Sequence, residues 1–181
     1  LDLISQAEHS SDTFCYLITT SQKLANSVNN IISELIPKIK RSTFVKSSLK
    51  NNGFIAICKT NSDMIKLANI LAPEHLQIMT KNPELLSSKI NTAGLILLGE
   101  NTPSSVSDYL LGSNHILPTN GFGKIRGSLS VLDFLKINTQ VTCSKSSLSK
   151  ISKYLDVLTT SEGLPNHYES VRGRLKWKKI G

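Results

Sequence analysis

The chain has 181 residues, a hydrophobic content of 39% and a formal net charge of +8. This length allows one domain with a core, or one domain with a small appendage. The most apolar runs, 54–58 and 95–98, are much shorter than the ~20 residues of a membrane helix, so we expect no membrane span. Three widely spaced cysteines without a Cys-x-x-Cys motif exclude a thiolate zinc ribbon and suit buried, reduced thiols in a cytosolic protein.

The positive charge raises the hypothesis of nucleic-acid binding, because clustered Lys and Arg gain affinity by releasing phosphate counterions. Clusters occur only at 38–41 and in the tail 172–179, and the remaining charges are scattered. We therefore expect a solvated, lysine-rich surface and no nucleic-acid partner.

Short apolar runs alternate with helical patterns over the first hundred residues. Strands are predicted at 14–18, 54–58, 76–79 and 95–98. Helices are predicted from Ser21 to Pro37, from Asn61 or Ser62 to Pro73, and from Pro83 onward. This alternation favours an α/β fold with a largely parallel, Rossmann-like sheet covered by helices.

The pattern changes after Gly99. Pro103 begins a helix that Gly112 ends, with Asp108 near its C-terminal end. A loop over 114–126 is of a length that often serves function. Ser144 and Pro165 begin two further helices, so the sequence predicts an α/β catalytic part over 1–143 and a helical appendage over 144–181.

All four histidines, His9, His75, His115 and His167, stand in contexts that suit metal or acid-base chemistry. Gln6 and His9 are three positions apart in a predicted helix, so their side chains face the same way. They would offer an amide oxygen and an imidazole nitrogen to a cation such as zinc, a weak pair by itself. Asp108 and His167 could complete the set, although four unrelated surface residues remain the simpler interpretation.

Glu74 and His75 follow Pro73 at a predicted junction between a helix and a strand. Histidine exchanges protons near neutral pH, and the carboxylate beside it could activate water. A solvated pair at a helix end remains the alternative. His115, which precedes the long loop, could orient a substrate or bond to backbone. The Gly121-Phe122-Gly123 run lacks the strand, the helix and the third glycine of a dinucleotide-binding loop.

Five motifs in order and spacing resemble the histidinol dehydrogenase family. They are Gln6-Ala7-Glu8-His9, Pro73-Glu74-His75-Leu76, Ser107-Asp108-Tyr109, Asn114 to Thr119, and Glu162 to His167. The resemblance implies two NAD-dependent oxidations of L-histidinol, through L-histidinaldehyde to L-histidine, in histidine biosynthesis. It also implies a cytoplasmic location, with an organelle left open because a transit segment would lie upstream.

The resemblance also implies a role for each site residue. The ligands of one Zn²⁺ per subunit would be Gln6, His9, Asp108 and His167. Glu74 and His75 would be the acid-base pair, with His75 taking the alcohol proton and Glu74 helping to activate water. Substrate contacts would come from the four ligands, His75, His115 and Glu162. The family forms an intertwined homodimer, so His167 would complete the partner's zinc site.

Members of that family are more than twice as long as this chain. The resemblance therefore implies a C-terminal portion with an incomplete sheet, whose NAD site lies mostly in the missing N-terminal part. We expect the 181 residues alone to be inactive. A non-catalytic remnant or binding domain that keeps the fold is the main alternative, and a basic nucleic-acid-binding module is a third.

Overall fold

The computed structural model describes residues 1–177 and consists of two compact units, 1–134 and a second that begins at Leu135. This division precedes the boundary predicted at Cys143. Lys178 and Lys179, at the end of the predicted basic tail, lie outside the described residues. Within residues 1–177, no helix combines the length and apolar character needed to cross a membrane.

The first unit contains four short strands and six helices in mostly alternating order. The strands are β1 (Tyr16–Thr19), β2 (Phe54–Ile57), β3 (His75–Ile78) and β4 (Leu95–Leu98). The helices are α1 (Asp2–Ala7), α2 (Gln22–Leu35), α3 (Ser42–Asn52), α4 (Asn61–Leu71), α5 (Pro83–Ser87) and α6 (Ser104–Ser107). Single 3₁₀ turns lie at Ile36–Lys38, Phe122–Lys124 and Val131–Phe134.

The strands pair in parallel, which confirms the predicted α/β class, but they form two separate pairs rather than one sheet. In the first pair β1 lies beside β2, with Tyr16 opposite Phe54. In the second pair β3 lies beside β4, with His75 opposite Leu95. Each pair is joined through helices, as parallel strands require.

Side-chain caps begin two of the helices of the first unit. Ser21 accepts a hydrogen bond from the backbone N–H of Leu24 at the start of α2, as predicted. At α4 the cap is Thr60, one residue earlier than predicted, and it forms a reciprocal capping box with Asp63. α4 ends at Leu71, where Ala72 adopts a left-handed conformation before Pro73.

A small apolar core joins α1 to α3. Its buried members are Ile4, Ala7, Cys15 and Val45, and partly buried apolar side chains from α2 and the turn after it pack against them. Ser48, fully buried, donates from Oγ to the backbone oxygen of Thr13 at 2.7 Å, so the hydroxyl is satisfied inside the core. This core fixes the end of α1, where the candidate site begins.

The second unit is a pair of packed helices, α7 (Lys145–Ser161) and α8 (Pro165–Lys176). Ser144 caps α7, as predicted, by accepting from the N–H of Ser147. The turn between the helices is a Schellman motif, in which Gly163 has φ +71° and the N–H of Leu164 donates to the oxygen of Thr159 at 2.8 Å. Glu162 directly precedes this glycine.

The three cysteines are free thiols, but only one is buried. Cys15 is in the core, Cys58 is half-buried and Cys143 is exposed. The expectation that all three are buried was therefore wrong for Cys143 and only partly met by Cys58. Cys143 lies in a segment without helix or strand between the 3₁₀ turn at Val131–Phe134 and α7.

Candidate active site

Gln6 is held on the last turn of α1 by a contact with α6. Its Nε2 donates to the Oγ of Ser104 at 2.8 Å, and Ser104 is buried. With Nε2 engaged in this way, the Oε1 atom is the part of the amide left to bind a cation or a substrate donor.

His9 follows α1 rather than belonging to it. The helix ends at Ala7, so the expectation that Gln6 and His9 share a helix was wrong. A tight turn still keeps them together, because the backbone N–H of His9 donates to the backbone oxygen of Gln6 at 3.2 Å. The carbonyl oxygen of His9 also accepts from Nη2 of Arg41 at 3.4 Å.

Asp108 caps the C-terminal end of α6 and faces His75. The helix is much shorter than predicted, ending at Ser107 instead of continuing to Leu111, but Asp108 does lie at its end as expected. Its Oδ1 lies 3.1 Å from Nε2 of His75, and the two side chains are only 20% and 16% exposed. This polar pair is therefore largely shielded from solvent, where its hydrogen bond is stronger than at the surface.

The pairing of β3 with β4 places Glu74 and His75. The backbone N–H of Leu95 donates to the oxygen of Glu74 at 2.9 Å, and His75 is the first residue of β3. Gly94 passes so close to this point that a Cβ there would lie 2.8 Å from the Glu74 oxygen. The absence of a side chain at Gly94 thus allows the two strands to begin side by side.

Three of the predicted metal ligands line one cavity of about 290 Å³. Gln6, His9 and Asp108 contribute to its wall, and His75 reaches it through its bond to Asp108. The other lining residues are Ser5, Glu8, Arg41, Ser105 and Tyr109. The structure therefore brings together, from α1, α6 and β3, residues that are far apart in sequence.

Sequence reasoning did not single out Arg41, Ser5, Ser105 or Tyr109 as site residues. Tyr109 and Ser105 could have been predicted from their spacing to Asp108: Tyr109 directly follows it, and Ser105 precedes it by three positions. No sequence feature marked Arg41 as a site residue, since it belongs to a run of basic residues that is typical of a solvated surface. Only the packing of α3 against α1 shows that it borders the cavity.

His115 lies outside that wall, on an exposed segment anchored beside Asp108. The Oγ of Ser113 donates to the backbone oxygen of Ser107 at 2.8 Å. Asn114 accepts from the N–H of Ile116 and donates to the oxygen of Leu129, so the backbone on both sides of His115 is fixed. The role of His115 stays a prediction.

Glu162 and His167 belong to the second unit. Glu162 is the C-cap of α7, and His167 is in the first turn of α8, where its N–H donates to the oxygen of Leu164. Both side chains are exposed. The Schellman turn between them thus keeps these two residues at the same end of the helix pair.

Within residues 1–177, no three His, Cys, Asp or Glu side chains are grouped closely enough to hold a metal ion. His9 and Asp108 are two donors of this class, and the Gln6 amide is a third donor of another class. Their nitrogen and oxygen atoms suit a borderline cation such as zinc, which takes four ligands in most protein sites. The three donors that line this cavity suit such an ion by chemical type but are fewer than the four ligands it takes.

Gly121 and Gly123 have separate structural roles: Gly121 adopts a left-handed φ of +80°, and Gly123 allows close packing. Gly123 is buried, and a Cβ at this position would overlap the backbone oxygen of Thr92. Of the four turns that lead from a strand of the described chain into a helix, only the last contains a glycine, Gly99. The described residues therefore do not fit the glycine-rich pocket by which many proteins hold a dinucleotide.

Comparison with known proteins decides the family. The family model described as histidinol dehydrogenase matches residues 1–175. The chain belongs to the histidinol dehydrogenase family. This result confirms the resemblance that the five sequence motifs indicated.

Individual relatives agree with the family model. Histidinol dehydrogenase of Methanocaldococcus jannaschii is 42% identical over 97% of this chain, and histidinol dehydrogenase 1 of Nostoc sp. is 39% identical over 98%. In each case the matched region is 41% of the relative, so the chain spans about two fifths of the length of these histidinol dehydrogenases.

A solved structure from the family has the same fold. The crystal structure of histidinol dehydrogenase from Elizabethkingia anophelis matches 97% of this chain with a TM-score of 0.85 and 30% sequence identity. The match covers 40% of that chain. The fold described above is thus the fold of the corresponding part of a histidinol dehydrogenase.

Proposed function

We propose that this chain carries the acid-base and metal-binding part of an enzyme that oxidises L-histidinol to L-histidine by way of L-histidinaldehyde. The main support is the cavity on which Gln6, His9 and Asp108 meet, with His75 bonded to Asp108, in a chain that belongs to this family. The reaction is a step of histidine biosynthesis, and its enzyme is an oxidoreductase.

Zinc is the proposed metal, with Gln6, His9 and Asp108 as three of its ligands and His167 as the fourth. When bound, the ion acts as a Lewis acid and would orient the nitrogen atoms of the substrate. The chain prepares two of these donors: Ser104 fixes the Gln6 amide, and the turn after α1 keeps His9 next to Gln6.

His75 is the proposed general base. An ionised Asp108 accepts the Nε2 proton of the imidazole, which leaves Nδ1 free to take the hydroxyl proton of the alcohol. The Asp108 carboxylate, which is largely shielded from solvent, also stabilises the imidazolium that results, as in other His-Asp pairs. Asp108 therefore has two tasks in this proposal, one toward the metal and one toward the base.

Glu74 is the proposed activator of water in the second oxidation. The aldehyde must add water before it can lose a second hydride, and a carboxylate beside the site can accept the proton of that water. Glu74 is half-buried, and its backbone is fixed by the bond to Leu95. His115 and Glu162 are proposed substrate contacts.

The hydride acceptor is proposed to be NAD, bound mainly by residues outside this chain. The described residues offer no glycine-rich turn for it, so we assign no NAD contact to them. The second unit, with its exposed His167, is proposed to complete the site of a partner subunit in a homodimer. The 181 residues alone are then expected to be inactive.

Steady-state assay of the complete protein with L-histidinol, NAD and Zn²⁺ tests the proposal. We expect two NADH per histidinol and the loss of both zinc and turnover in His9→Ala. Lys40→Ala is the control, because Lys40 is exposed and does not line the cavity. This variant should keep both zinc and turnover. Zinc binding without turnover would favour the non-catalytic alternative, and unchanged zinc content in His9→Ala would overturn the ligand assignment.

A further inference from the structure

Arg41 has an unusual backbone conformation for a long side chain. Its φ of 55° and ψ of 25° are left-handed, a region that favours glycine and asparagine. The residue directly precedes α3, and its carbonyl oxygen accepts from the N–H groups of Phe44 and Val45 at 3.0 and 3.2 Å. Backbone strain of this kind persists when the surroundings fix it, and it is often found beside functional sites.

The side chain of Arg41 makes two observed contacts, one with α3 and one just after the end of α1. Its guanidinium carbon lies 4.7 Å from the centroid of the Phe44 ring, in a cation–π arrangement. Its Nη2 donates to the backbone oxygen of His9 at 3.4 Å, and the residue lines the cavity that His9 and Asp108 share. The ring thus holds the planar guanidinium where it can reach the His9 carbonyl.

The base from which Arg41 extends is rigid. Val45 is fully buried in the core with Ile4 and Ala7 of α1, and Ser48 bonds to Thr13 on the far side of His9. α3 is therefore attached to the chain both before and after His9. Arg41 spans the interval between these attachments, where α1 has ended and β1 has not begun.

We propose that Arg41 is a positioning residue that fixes the main chain at His9 and, through it, the imidazole on the cavity wall. This inference rests on the proposed function, in which His9 is a metal ligand. The guanidinium acts on the carbonyl oxygen and does not itself touch the metal or the substrate. In this proposal the strained backbone of Arg41 is needed because it directs the side chain toward the carbonyl oxygen of His9.

If Arg41 acted only through its charge, its removal would change zinc affinity in the opposite direction. A cation beside a metal site repels the metal, so charge alone would make zinc binding tighter when Arg41 is removed. If Arg41 instead positions His9, its removal should weaken zinc binding. Positioning also predicts that Arg41→Lys fails, because lysine keeps the charge but lacks the planar fork that stacks on Phe44 while it donates to His9.

Arg41→Asn should remove the contact with His9 without disturbing the fold. Asparagine tolerates the left-handed backbone and also favours the position before a helix. The matched control is Lys40→Asn, which removes the same charge from the adjacent exposed residue. Each variant of the complete protein is titrated with Zn²⁺ alone against a chromophoric chelator. Hydrogen–deuterium exchange of the metal-free protein is followed in a peptide that covers residues 6–12.

For Arg41→Asn and Arg41→Lys we expect Zn²⁺ affinity to fall about tenfold or more, the range measured for supporting residues around metal ligands. Exchange at 6–12 should become faster in both variants, and Lys40→Asn should match the wild type in both measurements. Wild-type zinc affinity and exchange in Arg41→Asn would overturn the proposal, as would tighter zinc binding. If the wild type binds no zinc but Arg41→Asn still exchanges faster, the metal assignment fails and the contact with His9 stands.

Discussion

His75 and Asp108 are 33 positions apart in the chain, yet one hydrogen bond joins them. Each side chain has its own support: β4 fixes the start of β3, and Asp108 is the C-cap of α6. A carboxylate that is ionised and mostly buried needs a partner, and the imidazole provides it. The proposed base and one proposed metal ligand are therefore a single unit, and a change in either one will affect the other.

His75→Gln tests the base while keeping the pair. The Gln amide nitrogen reaches about as far as Nε2 of His75 and can still donate to Asp108, but the amide cannot accept a proton from the alcohol. We expect kcat in the histidinol assay to fall by about 10²- to 10⁴-fold, the usual contribution of a general base. Zinc content should remain at the wild-type level, since the Gln amide keeps the bond to Asp108 and His75 is not a proposed ligand. An unchanged kcat would exclude His75 as the base.

Cys15 provides a second residue-scale prediction, on stability. Burial raises the pKa of the Cys15 thiol to about 11 from an ordinary 9.0, although a hydrogen bond with Ser48 opposes the shift. Above pH 9 the unfolded chain loses this proton while the folded protein keeps it. We therefore expect the free energy of unfolding to fall as pH rises from about 9 toward 11.

Urea unfolding of the wild type and of Cys15→Ala across this pH range isolates the thiol, because the other titrating groups are common to both. The wild type should lose more stability than the variant as pH rises. Parallel curves would contradict the prediction. At neutral pH, alkylation should label exposed Cys143 first and Cys15 last, since the reactive form is the thiolate.

At the scale of elements, the loop after α6 is fixed to the second strand pair by a close backbone contact. Gly123 lies against the oxygen of Thr92, two residues before Gly94, and Pro118 lies near Gly94 itself. The loop thus packs beside the place where Glu74 and β4 meet. A side chain at Gly123 would separate the two segments.

Gly123→Ala is therefore expected to lower the free energy of unfolding by about 1–3 kcal/mol, the usual cost of forcing extra atoms into a packed site. Gly127→Ala is the matched control in the same loop, because a Cβ there meets nothing within 4 Å. Denaturant unfolding measures both. Equal stability of the two variants would show that the loop moves aside without cost.

The sequence predicted strands and their parallel pairing well, since β4 matches the expected 95–98 and the others differ by one or two residues. It missed α3, because this helix has few apolar residues and one of its buried positions is Ser48. The hydroxyl is tolerated in the core only through its bond to Thr13, a contact that no local pattern reveals.

At the scale of the molecule, the candidate site depends on long-range packing. Gln6 meets Ser104 across 98 positions, and the cavity joins the first ten residues to Arg41 and to the end of α6. Residue types and spacing alone suggested a weak pair of ligands at Gln6 and His9, which Asp108 and His167 could complete, and an acid-base pair at Glu74 and His75, each beside a simpler surface interpretation. The family resemblance supplied the remaining roles, and the structure places three of the four proposed ligands on one wall.

The segment between the last 3₁₀ turn of the first unit and α7 exposes apolar side chains. Leu135, Ile137 and Val141 are all exposed, and no helix or strand covers 135–143 among the described residues. Exposed apolar surface of this kind is typical of protein interfaces. The proposed homodimer would therefore bury this segment against the partner.

Limited trypsin digestion at different protein concentrations tests that burial. Cleavage after exposed Lys136 should be fast in dilute protein, because an exposed segment outside helices and strands is readily accessible to a protease. It should slow as concentration rises and dimers form, since binding hides the bond. Lys136→Gln identifies the product of this cut, and cleavage after Lys23, exposed on α2, serves as the internal reference. If the Lys136 cut keeps the same rate relative to Lys23 at every concentration, the segment does not lie in a dimer interface.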